Sequence, residues 1–272
     1  MRKTILAASL ASAAFAFPSL ATAQAAASPH TFTGNFTLAS EYLYRGIAQT
    51  RGKPALQGGL DYAHSSGFYL GTWGSNISWI SDTGPLATPS LQTPSANIEI
   101  DVYGGYKGTV SGDLGFDIGV LTYIYPGSNK PTGAAKPDTT EIYGALSYKW
   151  LTLKYSRTTG SLFGWTTTSG GKTSGSGYLD LTGNFDMGGG WGLQAHAGHQ
   201  SVRGFSPASY SDWKLGVTKD VGVGTVGLAY SGTNAKDNCT TLEAYCFGAL
   251  PLGAGPYEAG KSRLVLTFGK TF

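Results

Sequence analysis

Alternation of apolar and polar residues with a period of two recurs along most of the chain, and it constrains the fold more than any other feature. In segment 97–102 the apolar residues Ile98, Ile100 and Val102 alternate with polar ones. A strand places alternate side chains on opposite faces, whereas a helix would mix acids and aliphatics on every face. The alternation therefore predicts a strand with one oily and one polar face.

About twelve such segments, each roughly nine to twelve residues long, follow one another without a helical interruption. The first is predicted to run on through residue 45, with its faces formed by Phe36, Leu38, Tyr42 and Tyr44 against Thr37, Glu41 and Arg45. A tilted strand of about that length crosses a bilayer, and an even strand number is typical of bacterial single-chain barrels.

The connections between these segments alternate in length. Long connections at 80–96, 126–138 and 232–260 alternate with tight turns such as 64–67 and 149–150. Transmembrane barrels have long loops outside and short periplasmic turns. The sequence thus predicts an all-β fold over residues 33–272, a transmembrane antiparallel up-and-down β-barrel. Its last strand pairs with the first, and both chain ends face the periplasm.

The first 23 residues have the features of a secretory signal peptide. Arg2 and Lys3 precede the apolar stretch 5–17, and the small-x-small sequence Ala21-Thr22-Ala23 follows. Removal of residues 1–23 lowers the basic count from 19 to 17 against 16 acidic residues, which excludes a basic nucleic-acid binder. Residues 24–32 are expected to form a tail, and the exported barrel is expected in the outer membrane.

Aromatic residues fall near both ends of the predicted strands, as in the aromatic girdles of membrane barrels. The outer set is Tyr44, Trp79, Tyr125, Tyr155, Tyr178, Trp213 and Tyr230, and the inner set is Tyr62, Tyr148, Trp150, Trp191 and Phe272. The terminal Phe272 on an alternating strand resembles the signal by which the barrel-assembly machinery recognises its substrates. Lys270 departs from that pattern, in which an apolar residue is usual.

Two blocks near the mature N-terminus carry a family resemblance. They are Tyr42-Leu-Tyr-Arg-Gly46 within segment 35–49 and Asp61-Tyr-Ala-His-Ser-Ser-Gly67 within segment 57–76. The chain resembles the TorF family, a group of proteobacterial exported β-proteins of about this length that are described as porins. The resemblance spans most of the mature chain and is loose in the long loops. It implies an outer-membrane location and a pore-like role, without a solute or binding residues.

Charged residues on the polar faces are the candidate pore-lining set. They are Glu41, Arg45, Asp61, Glu99, Asp101, Asp117, Lys154, Asp180, Lys214 and Arg263. A twelve-stranded barrel is wider than the eight-stranded kind that side chains fill, so it has room for a narrow water-filled channel. Acids exceed bases in this set, which favours cations. The competing interpretation is an internal salt-bridged plug.

The sequence therefore predicts a porin for small hydrophilic solutes or ions, with no enzymatic activity, cofactor or bound metal. Cys239 and Cys246 are expected to form a disulfide, because export exposes them to an oxidising compartment. Two alternatives stay open. One is a closed structural or adhesive barrel that acts through its long loops. The other is a membrane-embedded lipid hydrolase, for which His199 is expected to face lipid but has no assignable serine partner.

Overall fold

The computed structural model describes residues 28–82, 96–128, 135–248 and 255–272. The predicted signal peptide lies outside these residues, as do four residues of the predicted tail and parts of the long connections. The described elements are β1 (His30–Ala39), β2 (Leu43–Tyr44), β3 (Ile47–Ala48), β4 (Ala55–His64), β5 (Phe68–Asn76), α1 (Trp79–Asp82), β6 (Ile98–Ser111), β7 (Leu114–Ile124), β8 (Thr139–Tyr148), β9 (Leu151–Thr158), β10 (Gly177–Gly188), β11 (Trp191–Ser201), β12 (Tyr210–Asp220), β13 (Thr225–Thr233), β14 (Cys246–Phe247), β15 (Tyr257–Glu258) and β16 (Arg263–Thr271).

Twelve of these strands form one closed antiparallel barrel, in the order β1-β16-β13-β12-β11-β10-β9-β8-β7-β6-β5-β4. Strand β1 pairs with β4 on one side and with β16 on the other, in a register that runs from Asn35↔Thr271 to Ala39↔Thr267. The predicted fold class, strand number and closure of the last strand on the first are confirmed. The barrel strands are eight to fourteen residues long, a wider range than predicted.

The tight turns all lie at one end of the barrel, together with the described start of the chain before His30 and with Phe272. Phe272 exchanges both backbone hydrogen bonds with Gly34, at 2.8 and 2.9 Å. In the turn between β10 and β11, Gly189 and Gly190 have φ values of +59° and +76°. Positive φ at both central residues belongs to the type I′ turn, whose twist suits a two-residue hairpin. We call this end the turn end and the opposite one the loop end.

The outer face of the barrel is a belt of exposed aliphatic and aromatic side chains. They include Leu60, Leu70, Val102, Ile118, Val120, Ile142, Leu146, Leu153, Leu181, Leu215, Leu228 and Leu266. A monomeric soluble protein rarely exposes a contiguous apolar patch of this extent. Among the described residues, no helix has the length and apolar character needed to cross a membrane.

Two expectations about aromatic residues and the first strand are corrected. Strand β1 ends at Ala39, so Tyr42 and Tyr44 do not continue its apolar face, and both are buried. Tyr125 and Tyr178 are also buried inside rather than in a girdle, and Trp79 packs among the loops. The other predicted girdle residues that are exposed include Tyr155, Trp213, Tyr230, Tyr148, Trp150, Trp191 and Phe272.

Candidate functional site

Residues 40–54, which we call the inward hairpin, fold into the loop end of the barrel. Strands β2 and β3 form its two arms. The bend lies at Arg45 and Gly46, whose φ values are +47° and +78°. A Cβ atom on Gly46 would collide with Thr233 and lie 3.0 Å from Asp212 Cβ, so the tip rests directly against the barrel wall at β12 and β13. Only glycine fits this contact, because it combines a positive φ with the absence of a side chain.

Arg45, at the tip of the inward hairpin, is bound on three sides inside the barrel. Its Nη2 donates to Glu141 Oε2 at 2.7 Å, and its Nη1 donates to Gln200 Oε1 at 2.7 Å. Its guanidinium lies 4.1 Å from the centroid of the Tyr178 ring. The side chains of Arg45 and Glu141 are only 6% and 2% exposed, so this is a buried ion pair with several charge-assisted hydrogen bonds.

Two tyrosines of the inward hairpin are also linked to carboxylates of the wall, one directly and one through Tyr123. Tyr42 donates to Glu99 at 2.7 Å. Tyr44 donates to Tyr123 at 2.7 Å, and Tyr123 in turn donates to Glu141 at 3.4 Å. The block Tyr42-Leu-Tyr-Arg-Gly46 therefore anchors the hairpin to two buried acids on β6 and β8.

The last long connection packs on the inward hairpin at the loop end. Tyr257 and the backbone N–H of Gly52 both donate to Glu41 at 2.7 Å, and Arg263 Nε lies 3.5 Å from the same carboxylate. The backbone N–H of Ala48 donates to Ala259 at 2.9 Å. Burial, together with the hydrogen bond to Glu41, raises the pKa of the Tyr257 phenol, so it remains a donor at neutral pH.

These loops pack against one another through an apolar cluster. It contains Ile47, Leu162, Val202, Tyr245 and Phe247, all nearly inaccessible to solvent. Burial raises the pKa of Tyr245, whose hydroxyl donates to the Ala208 carbonyl at 2.6 Å. A disulfide joins Cys239 to Cys246 beside this tyrosine.

Towards the turn end, the lumen wall carries tyrosine–carboxylate pairs. Tyr103 donates to Asp61 and Tyr69 donates to Asp117, each at 2.6 Å. Lys154 Nζ lies 4.1 Å from the centroid of the Tyr143 ring. These are partly buried polar contacts along the inner wall.

A cluster of one histidine and two carboxylates lies on the wall formed by β10, β11 and β12. His196 Nε2 lies 2.7 Å from Asp212 Oδ2, and His196 Nδ1 lies 3.4 Å from Asp180 Oδ2. Tyr178 donates to Asp212 at 2.9 Å, which links the cluster to the ring beneath Arg45. Lys214 of β12 is paired in register with His196 of β11.

The ten candidate charges fall into three groups in the structure. Seven lie on inner faces of barrel strands: Asp61, Glu99, Asp101, Asp117, Lys154, Asp180 and Lys214. Glu41 and Arg45 belong to the inward hairpin rather than to the wall, and Arg263 begins β16 at the loop end. Sequence reasoning left out Glu141, Asp212 and His196. The alternation placed all three on polar faces. His196 and Asp212 meet across adjacent strands, whereas Glu141 is bound by Arg45, 96 residues away in the chain.

The serine partner that the hydrolase alternative lacked is Ser211. Its Oγ lies 2.9 Å from Nδ1 of His199, and the histidine is exposed on the outer face. A hydrolytic triad also needs a third group that orients the imidazole. Within the described part of the chain, no carboxylate or amide side chain contacts this ring.

Several solved structures resemble this barrel. The KdgM porin aligns with a TM-score of 0.49 and 5% identity over 88% of this chain and 98% of its own. The NanC porin aligns with a TM-score of 0.48 and 9% identity over 89% and 98%. The toluene transporter TodX of P. putida aligns with a TM-score of 0.44 and 11% identity over 91% of both chains.

Sequence comparison places the chain in a family. No curated protein matches it. The profile of the family described as "Bacterial protein of unknown function (Gcw_chp)" matches residues 23–272. Because that match covers nearly the whole chain, the protein belongs to the Gcw_chp family of bacterial proteins.

Proposed function

We propose that this protein is an outer-membrane porin that passes small hydrophilic solutes or ions through a narrow charged lumen. One observation carries the proposal: a closed twelve-stranded barrel has an apolar outer belt and buried charges within. Only a lipid environment makes that arrangement favourable, because lipid keeps the apolar outer face out of water. Closure of the barrel also leaves no strand edge unpaired in lipid, where such an edge would be costly. The predicted signal peptide 1–23 and the resemblance to the TorF family support the same location and role.

The inward hairpin forms the constriction of the proposed path. It is held by side-chain hydrogen bonds of Tyr42 and Tyr44 and by the buried ion pair of Arg45 with Glu141. At its start, the backbone N–H of Ser40 also donates to Leu266 of β16. Passage of a solute requires this hairpin to shift or to leave a path beside it. Liposome swelling with sugars of increasing size tests the proposal, and swelling only by the smallest solutes is the expected result.

A closed structural or adhesive barrel is the second candidate, and the packing at the loop end favours it. The inward hairpin and the last connection share a buried apolar cluster there. Wild-type protein that allows no swelling, together with an equally tight variant in which the hairpin is released, would establish this candidate in place of the porin.

The interior charge predicts a preference for cations. Among the described interior groups the acids are Glu41, Asp61, Glu99, Asp101, Asp117, Glu141, Asp180 and Asp212, and the bases are Arg45, Lys107, Lys154, Lys214, Arg263 and His196. Carboxylates that line a confined path attract cations. We expect reversal potentials in a KCl gradient to show K⁺ favoured over Cl⁻, and Asp117→Asn to weaken that preference. Asp113→Asn is the matched control, since Asp113 lies exposed in the turn before β7. Anion preference in the wild type would contradict the proposed lining.

We propose that Phe272 acts during assembly rather than in the stability of the finished barrel. Its side chain is 71% exposed, and its hydrogen bonds with Gly34 are made by backbone atoms alone. We expect Phe272→Ala to lower the amount of folded barrel in outer membranes of cells, because recognition by the assembly machinery is weakened. Heat-modifiable mobility on gels measures that amount. The same variant should refold into detergent micelles as well as the wild type does, and an equal loss in micelles would assign Phe272 to stability instead.

A further inference from the structure

The loop-end half of the lumen contains a buried carboxylate with one oxygen that lacks a hydrogen-bond partner. Asp101 is 5% exposed, and its Oδ1 accepts no hydrogen bond from any described residue. Its neighbour on the same face, Glu99, is 1% exposed and accepts hydrogen bonds from Tyr42 and Tyr125, each at 2.7 Å. Burying a charged acceptor without a partner is costly, so such a group in a folded protein calls for an explanation.

The acidic surroundings of Asp101 favour a cation as the partner of this oxygen. Residues two apart on a strand lie about 7 Å apart, so the charges of Glu99 and Asp101 repel each other across little space. Glu141 adds a third negative charge nearby, but Arg45 already neutralises it. Among the described residues, no ion pair joins Asp101 to a cationic side chain.

Aromatic rings flank Asp101 on both sides. In the sheet register Asp101 pairs with Trp73 of β5 and with Tyr123 of β7. Directly paired residues share a face, with their Cβ atoms about 5 Å apart. Ring faces attract cations, most strongly for Trp. Tyr42 of the inward hairpin packs against Trp73 at 5.5 Å between centroids and covers this place.

From this juxtaposition we propose that Asp101, with Trp73 and Tyr123, binds an ammonium group, either as the free ion or at the end of a small solute. An ammonium group supplies both the positive charge and the N–H donor that Oδ1 lacks. A multidentate metal site does not fit, because the described residues contain no group of three or more His, Cys, Asp or Glu with metal-binding geometry. The inference refines the proposed passage of solutes and rests on it for its biological meaning.

Thermal unfolding in detergent, followed at constant ionic strength and chloride, tests the site. Methylammonium and ammonium are expected to raise the unfolding midpoint above its value in KCl. Tetramethylammonium, which keeps the charge but has no N–H donor, is expected to leave it unchanged. Asp101→Asn should abolish the response, while Asp113→Asn in the exposed turn should keep it.

Each possible outcome bears on a different part of the inference. Equal midpoints in all four salts, or an ammonium response that survives in Asp101→Asn, would overturn the site. A response to K⁺ as large as that to ammonium would overturn the donor assignment. If Asp101→Asn fails to fold, the wild type alone still tests the donor assignment, because its unfolding midpoints in methylammonium and tetramethylammonium can be compared. Binding without liposome swelling would leave this inference standing and remove the porin proposal.

Discussion

Replacing Arg45 with alanine is expected to release the inward hairpin and to raise single-channel conductance in planar bilayers. Arg45 forms a buried ion pair with Glu141 and also donates to Gln200. Removing one partner of a buried pair costs about 3–5 kcal/mol, because the other charge is left without compensation. A loss of that size shifts the balance between the seated and released hairpin by about a hundredfold or more.

The control for this prediction lies in the same hairpin. Lys53 is exposed, so Lys53→Ala removes a positive charge without touching the wall, and its conductance should match that of the wild type. Glu141→Gln should resemble Arg45→Ala, and the double variant should cost much less than the sum of the two single changes, as expected for partners in one pair. The ion pair does not hold the constriction if Arg45→Ala leaves two quantities unchanged. These are the conductance and the rate of hydrogen exchange at the backbone amides of the hairpin.

Placing arginine at Leu153 is expected to destabilise the barrel in lipid by about 2–4 kcal/mol, the cost of a charge on the lipid face near the bilayer midplane. Leu153 lies on the outer face of β9, between Leu146 and Leu181 of the neighbouring strands and between the exposed rings of Trp150 and Tyr155 along the chain. Urea titration of folding into lipid vesicles, followed by tryptophan fluorescence, measures the free energy of unfolding.

Val223→Arg is the matched control for the lipid face. Val223 is apolar like Leu153, and its side chain is more exposed. It lies in the turn between β12 and β13, at the edge of the barrel. A charge near the interface costs only about 0–1 kcal/mol. If Leu153→Arg proved neutral, or if it made the protein folded and monomeric in buffer without detergent, the outer belt would not face lipid and the porin proposal would end with it.

Side-chain periodicity was sufficient to predict the barrel wall. The alternation along segments such as 97–102 ties each residue to one face of a strand, so inside and outside follow from local order alone. Loop lengths supplied the second independent signal, because alternate long and short connections place all tight turns at one end. Closure of the last strand on the first followed from the need to leave no edge in lipid.

The same local reasoning failed for the aromatic residues that line the lumen. Tyr125 and Tyr178 have the character of interface residues, since a phenol has an apolar ring and a polar tip. In the structure their hydroxyls bind Glu99 and Asp212, so the barrel interior satisfies them as well as the membrane interface would. Nothing in the local sequence distinguishes these two environments.

The sequence by itself determined a twelve-stranded closed wall with an oily outside and a charged inside, because strand periodicity is a local property. Only the tertiary structure decided that residues 40–54 leave the wall and cross the lumen. That choice depends on a bend with positive φ at Arg45 and Gly46 and on partners at Glu141 and Gln200, which lie 96 and 155 residues away from Arg45. Contacts over such separations form only once the barrel has closed around them, so no short stretch of the chain encodes them.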